Sequence, residues 1–116
     1  NVEQRRDTVE RFVRAYQRGA ADYHAAMNAR DASGVRVFGP EAEPIIEIIA
    51  KYTQATPDAI KAGAVYVDPQ GRLDVGSVHE VIGWFKAQGL VDAKVDATSL
   101  IDLSFIPGHL NVPKTN

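Results

Sequence analysis

The sequence of 116 residues has the length of one small domain, and its hydrophobic fraction of 45% and charged fraction of 24% are those of an ordinary globular protein. The formal net charge of -2 gives no reason to expect binding to nucleic acid or to an anionic membrane. The lack of cysteine excludes disulfides and thiolate chemistry, and no stretch of the sequence is apolar for long enough to span a membrane. We expect a single domain over residues 1–116.

The first predicted element is a long amphipathic helix from about Thr8 to Met27, because apolar residues recur there at steps of three and four. We expect the other elements to pack on it. Gly34 follows the helix and is expected to adopt a left-handed backbone conformation. The predicted apolar face consists of Val9, Phe12, Val13, Tyr16, Ala20, Tyr23 and Met27.

Two further helices are predicted in the middle of the chain. The second should run from Glu41 to Thr53. Acidic residues lie near its amino-terminal end, which is the positive end of the helix dipole, and Pro44 falls in its first turn. Thr56 and Pro57 predict a short third helix that ends at Ala62, with the threonine as its cap. The buried face of the second helix is expected to comprise Ala42, Ile45, Ile46, Ile49 and Tyr52, widened by Ile48.

A turn and a fourth helix are predicted next. Asp68, Pro69 and Gly71 stand at the positions that a type I turn selects. Ser77 and Glu80 have the spacing of a capping box, so the fourth helix is predicted to run from Val78 to about Gln88 and to end at Gly89.

The last third of the chain adds smaller features. Trp84 lies off the apolar stripe of the fourth helix and is expected to pack on a neighbouring element. A final helical turn is predicted from Thr98 to Leu103, and Asn111–Asn116 is predicted to be a loose tail. Asp102 is a candidate buried acid, because apolar residues flank it closely. We expect the core to include Phe12, Tyr16, Ile45, Ile49, Phe85 and Phe105.

No motif for catalysis or for cofactor binding occurs in the sequence. It contains no Gly-x-Ser-x-Gly elbow and no glycine-rich phosphate loop. The segment after Asp68 resembles a calcium loop only in part, since Arg72 and His79 occupy positions that need oxygen ligands. The histidines are too far apart in the sequence for a zinc site, and we expect no metal, no cofactor and no enzymatic activity. They are His24, His79 and His109.

Arginines are concentrated near the amino terminus. Acidic residues interleave with them and no aromatic platform alternates with them, so we expect a solvated helix face and no binding of nucleic acid. These arginines are Arg5, Arg6, Arg11, Arg14 and Arg18.

Several segments, taken in order, resemble a known family. The chain resembles the carboxy-terminal part of substrate-binding proteins of ABC importers in the nitrate, sulfonate and taurine group, which includes binders of thiamine-pyrimidine precursors. The matching segments are Val9-Glu-Arg-Phe-Val-Arg-Ala-Tyr16, Ile45-Ile-Glu-Ile-Ile-Ala-Lys-Tyr-Thr53, Val67-Asp-Pro-Gln-Gly-Arg-Leu-Asp-Val75, Trp84-Phe85, Gln88-Gly-Leu-Val91, Lys94-Val-Asp96 and Ile101-Asp-Leu-Ser-Phe105.

The resemblance implies a mainly α chain with at most short strands, which forms the helical carboxy-terminal portion of a type II periplasmic-binding-protein α/β fold. It implies capture of a small anionic or heterocyclic ligand outside the cytoplasmic membrane and delivery to an ABC permease. The chain is then a fragment of a longer two-lobed protein, without a signal peptide of its own. Ligand-binding residues stay unknown, because the family contacts its ligand mainly through other parts of the protein.

Two other functions stay open. The chain could be a stand-alone helical interaction module, which forms homo-oligomers through exposed apolar surface. It could also be a fragment of a pyrimidine-biosynthesis enzyme, since that enzyme shares the fold and fold does not fix function.

Overall fold

The computed structural model describes residues 3–108 and residue 110, and these residues are mainly helical. The helices are α1 (Arg6–Met27), α2 (Ala42–Thr53), α3 (Pro57–Ala62) and α4 (Val75–Ala87). Short 3-10 turns occur at Glu3–Arg5 and Ala97–Leu100. The described residues contain no strand, and only single bridges join Arg30 to Arg36 and Asp74 to Leu110. The predicted mainly α class is therefore confirmed.

The chain divides into two compact units, Asn1–Gly71 and Arg72–Asn116. The first holds α1, α2 and α3, and the second holds α4 and the second 3-10 turn. No helix among the described residues is long and apolar enough to cross a membrane. His109 and the predicted tail Asn111–Asn116 lie outside the described residues.

The core of the first unit lies where the second half of α1 meets α2. Ala26 and Met27 of α1 pack with Ala42 and Ile46 of α2, and Met27 and Ala42 are fully buried. Half-buried apolar side chains surround this cluster; they are Tyr23, Ile45, Ile60 and Ala64. The helix ends at Met27 as predicted, and Gly34 has the predicted positive φ of 79°.

The predicted apolar face of α1 is buried only over its second half. The side chains of Phe12 and Tyr16 are 71% and 50% exposed, so their prediction as core residues is wrong. The physical reason is the length of α1. Its 22 residues extend beyond the part that the 12 residues of α2 cover.

The outer side of α2 corrects a second prediction. Tyr52 is 78% exposed and Ile48 is 54% exposed, whereas Ala42 and Ile46 are buried as predicted. The reason is that α2 packs on α1 and α3 with one narrow side only. Tyr52 lies outside that side, and the Lys51 ammonium lies over its ring, 5.7 Å from the ring centre.

Helix α3 forms as predicted. The Thr56 side chain accepts a hydrogen bond from the Ala59 amide, and Pro57 is the first helical residue. Lys61 of α3 forms an ion pair of 3.0 Å with Glu43 of α2. This pair is exposed and adds little to the stability of the contact.

Helix α4 begins one turn earlier than predicted, so the predicted capping box of Ser77 and Glu80 is wrong. Its cap is Asp74, whose carboxylate accepts hydrogen bonds from the Ser77 amide at 3.1 Å and from the Ser77 hydroxyl at 2.8 Å. The carboxylate of an aspartate is as good a cap as a serine hydroxyl and carries a charge that suits the helix dipole.

The end of α4 is a Schellman motif. The Leu90 amide donates to the Phe85 carbonyl and the Gly89 amide donates to the Lys86 carbonyl. Gly89 has the left-handed φ of 70° that this motif requires, which confirms the predicted end.

The second unit buries little apolar surface. Trp84 is 57% exposed, and its ring meets that of its neighbour Phe85 edge to face, with 5.3 Å between the ring centres. The prediction that Trp84 packs on another element is therefore wrong. Phe85 and Phe105 are half-buried, and Ala97 is buried. A helix face needs a partner surface to be covered, and the short segment after α4 offers a narrow one.

The last predicted helical turn is shorter than expected and ends at Leu100. Asp96 caps it by accepting a hydrogen bond from the Thr98 amide. Asp102 is exposed and accepts a hydrogen bond from the Ser104 amide, so its prediction as a buried acid is wrong. An aspartate readily satisfies an amide two residues ahead in a turn, which does not require burial.

Candidate functional site

Asn28 holds the segment that follows α3 against the end of α1. Its side-chain amide donates to the Val65 carbonyl at 2.9 Å, and its side-chain oxygen accepts from the Val67 amide at 2.9 Å. Two hydrogen bonds of opposite sense reproduce what a neighbouring strand would offer, so the segment is held in place without a sheet.

Two more side chains of α1 bind the same segment. The Nδ1 atom of His24 lies 2.6 Å from the Val67 carbonyl oxygen, and Nδ1 must donate because a carbonyl only accepts. The Tyr23 hydroxyl donates to the Val65 carbonyl at 3.3 Å. The His24 ring also meets the Tyr66 ring edge to face, with 5.5 Å between their centres. His24 therefore positions a loop, a role that its isolated place in the sequence did not reveal.

The turn predicted at 68–71 is confirmed and lies against α1. The Gly71 amide donates to the Asp68 carbonyl at 2.9 Å, and the buried Asp68 carboxylate accepts from the Gln70 amide at 3.1 Å. A side-chain carbon at Gly71 would lie 2.7 Å from a ring carbon of Tyr16. Gly71 also has a φ of 67°. Glycine is therefore required twice at this position, by the left-handed backbone conformation and by the close approach of the Tyr16 ring.

A groove of about 750 Å³ lies between α1 and this turn. Gln17 joins its two walls, because the side-chain amide donates to the Gln70 carbonyl at 3.1 Å. The sequence did not show that Gln17, Pro69 and Gln70 line the groove. Gln17 lies next to Arg18 but is uncharged, and Pro69 and Gln70 are far from the arginines in the sequence. The lining consists of Arg11, Arg14, Gln17, Arg18, Ala21, Pro69 and Gln70.

All the charged side chains that line this groove are positive. Its lining includes three arginines and no carboxylate among the described residues. Arg11 donates to the Thr8 hydroxyl at 3.4 Å, and neither Arg14 nor Arg18 has a hydrogen bond or ion pair within the described part of the chain. Arginine side chains donate charge-assisted hydrogen bonds to carboxylates and phosphates, so this lining favours an anion.

The other residues that the sequence singled out do not converge on a site. Asp74 caps α4, and the described residues contain no group of three or more histidines and acids that could hold a metal ion. Arg36, outside the basic cluster, donates to the Ala64 carbonyl and helps to fix the end of α3.

Comparison with known proteins adds no assignment. No protein-family model, curated protein or solved structure matches this chain. The resemblance to solute-binding proteins therefore stays a prediction.

Proposed function

We propose that this chain is the helical scaffold part of an extracytoplasmic solute-binding protein, which captures a small anionic or heterocyclic ligand and delivers it to an ABC permease. The proposal begins from the ordered set of segments that resemble this family. Two of those segments, 9–16 and 45–53, lie within α1 and α2. A third, 67–75, contains the turn that packs on α1 and the cap of α4.

The observation that carries the proposal is the uneven burial of one helix face. On α1, Ala20 and Met27 are buried, while Phe12 and Tyr16 on the same face are largely exposed. Large apolar side chains that continue a buried stripe are typical of a surface that packs against a further part of the protein. In a two-lobed solute-binding protein, the central sheet would supply that part.

The small core supports the same proposal. The buried apolar residues among those described are four alanines, one methionine and one isoleucine: Ala20, Ala26, Ala42, Ala97, Met27 and Ile46. Burial contributes in proportion to the apolar area removed from water, so alanines contribute little. Such a core is marginal for a chain of 116 residues, and a larger protein would complete it.

The experiment is a thermal-shift screen of the full-length protein that contains this chain, with nitrate, sulfonates, taurine and pyrimidines. A ligand that binds only the native state raises the melting temperature, and 100-fold excess over the Kd adds about 2.7 kcal/mol. A shift with a member of one of these classes supports the proposal. A folded full-length protein that responds to none contradicts it, as does a gene neighbourhood without a permease and an ATPase.

A helical interaction module is the second candidate function. The exposed Ile48 and Tyr52 lie on the outer side of α2 and could pack against a second copy. Light scattering on the 116-residue chain tests this second function. A monomer at micromolar concentration counts against the module.

A further inference from the structure

The arginines of the groove share one helical face. Arg11, Arg14 and Arg18 follow one another at steps of three and four residues, so their side chains leave α1 on the same side. At a rise of about 1.5 Å per residue, they span about 10 Å along the helix axis. The described lining residues carry no negative charge, so an acidic ligand is the chemistry that fits.

Two acids limit the length of that ligand. Asp7 lies one turn before Arg11 and Asp22 lies one turn after Arg18, and both are exposed on the same face. A long polyanion such as nucleic acid would meet a carboxylate at each end of the positive stretch, and like charges repel. A short acidic segment would end before it reached either of them.

The groove is open to solvent, which limits the kind of ligand that it can bind. Its arginines, Pro69 and Gln70 are all exposed. A small molecule bound there would keep much of its surface in water, whereas binding pockets bury most of a small ligand. A helix that lies along α1 can reach the three arginines at once, and its apolar atoms can cover Ala21, Pro69 and the arginine stems.

We propose that this groove docks an acidic helical segment of a partner protein, which presents three carboxylates to Arg11, Arg14 and Arg18. Gln17 is a positioning residue, because its hydrogen bond to Gln70 holds the turn as the second wall. The inference is independent of the proposed function, since it concerns one surface of α1 and no transported ligand. Exposed ion pairs each strengthen binding about twofold, so three should give about tenfold.

The test uses a labelled, alanine-based helical peptide with three glutamates at steps of three and four residues. Its control peptide has glutamine at the same positions. Fluorescence anisotropy at low salt should show the 116-residue chain binding the glutamate peptide about tenfold more tightly, and the difference should shrink as salt rises. Equal affinity for the two peptides would overturn the proposal without the need for any protein variant.

A pair of triple variants locates the contact. Arg11→Gln/Arg14→Gln/Arg18→Gln should remove the tenfold preference. Arg5→Gln/Lys51→Gln/Lys94→Gln changes the net charge equally at exposed positions outside the groove, and it should keep most of that preference. Far-UV circular dichroism checks that both variants stay helical. An equal loss in both would overturn the proposal, because general attraction would then explain the binding.

A competition experiment separates a peptide from a phosphate ligand. Inorganic tripolyphosphate and a single-stranded oligonucleotide, matched to the peptide in concentration of charge, should displace the labelled peptide less effectively than the unlabelled peptide does. Displacement by either at equal or lower concentration would overturn the proposal in favour of a phosphate site.

Discussion

Asn28 follows the last residue of α1, and its side chain satisfies the Val65 carbonyl and the Val67 amide. Val67 is half-buried, so without Asn28 its amide would lack a hydrogen-bond acceptor. An unsatisfied buried amide or carbonyl costs more than the net stability that an ordinary hydrogen bond adds. Asn28 therefore acts with Tyr23 and His24 to fix the segment that leads into the turn at 68–71.

Replacement of Asn28 tests this role. We expect Asn28→Ala to lower the free energy of unfolding by about 1–3 kcal/mol, because it leaves the half-buried Val67 amide without its partner. The Val65 carbonyl keeps its hydrogen bond from the Tyr23 hydroxyl. Gln17→Ala removes one hydrogen bond at a more exposed place and should cost about 0.5 kcal/mol. Urea unfolding followed by tyrosine fluorescence measures both, since all four tyrosines lie within residues 1–71. An equal cost in the two variants would contradict the account of Asn28.

Gly71 and Gly34 form a matched pair of glycines with positive φ. Nothing lies within 4 Å of a side-chain carbon at Gly34, whereas Tyr16 would be 2.7 Å from one at Gly71. Gly34→Ala should therefore cost only the conformational strain of about 1–2 kcal/mol. Gly71→Ala should cost that amount and also displace the Tyr16 ring. A lower melting temperature for Gly71→Ala is expected, and equal values would show that Tyr16 moves aside freely.

At the scale of the helices, the start of α4 depends on Asp74. Its carboxylate bonds both the amide and the hydroxyl of Ser77. We expect Asp74→Ala to cost about 1 kcal/mol, as loss of a helix cap does. Ser77→Ala keeps the bond from its amide and should cost less. Guanidinium unfolding followed by Trp84 fluorescence measures both, since Trp84 is the single tryptophan. A larger cost for Ser77→Ala would restore serine as the cap.

The positions of the helices could be predicted from the sequence because their causes are local. Apolar residues at steps of three and four marked α1 and α2, and Thr56-Pro57 marked the start of α3. The start of α4 was misplaced by one turn because aspartate and serine are both good caps, and the spacing of Ser77 and Glu80 favoured the later one.

The candidate groove could be predicted only in part. The sequence revealed the arginine cluster, but the wall formed by the turn depends on contacts between residues far apart in the chain. Gln17 bonds Gln70 across 53 positions, and Asn28 bonds Val65 across 37. Patterns of neighbouring residues do not show which distant residues pair with each other. The same limit explains Phe12 and Tyr16, whose periodicity marks an apolar face but not what covers it.

At the scale of the whole molecule, the account rests on surfaces that the chain leaves uncovered. The apolar face of α1 continues past the core as Phe12 and Tyr16, and the outer side of α2 adds Ile48 and Tyr52. An isolated domain with such surfaces is prone to association, while a longer protein would bury them. The proposed role as a scaffold part depends on the second outcome for α1.

The most direct measurement is the effect of Phe12→Gln on unfolding free energy, both in the 116-residue chain and in the longer protein that we propose contains it. Glutamine keeps the helix propensity, so we predict a change within about 0.5 kcal/mol in the chain, where Phe12 is 71% exposed. In the full-length protein we predict a loss of more than about 2 kcal/mol, because the side chain is then buried. Met27→Gln, at a fully buried position, should be costly in both. An equal, small effect of Phe12→Gln in the two proteins would contradict the account.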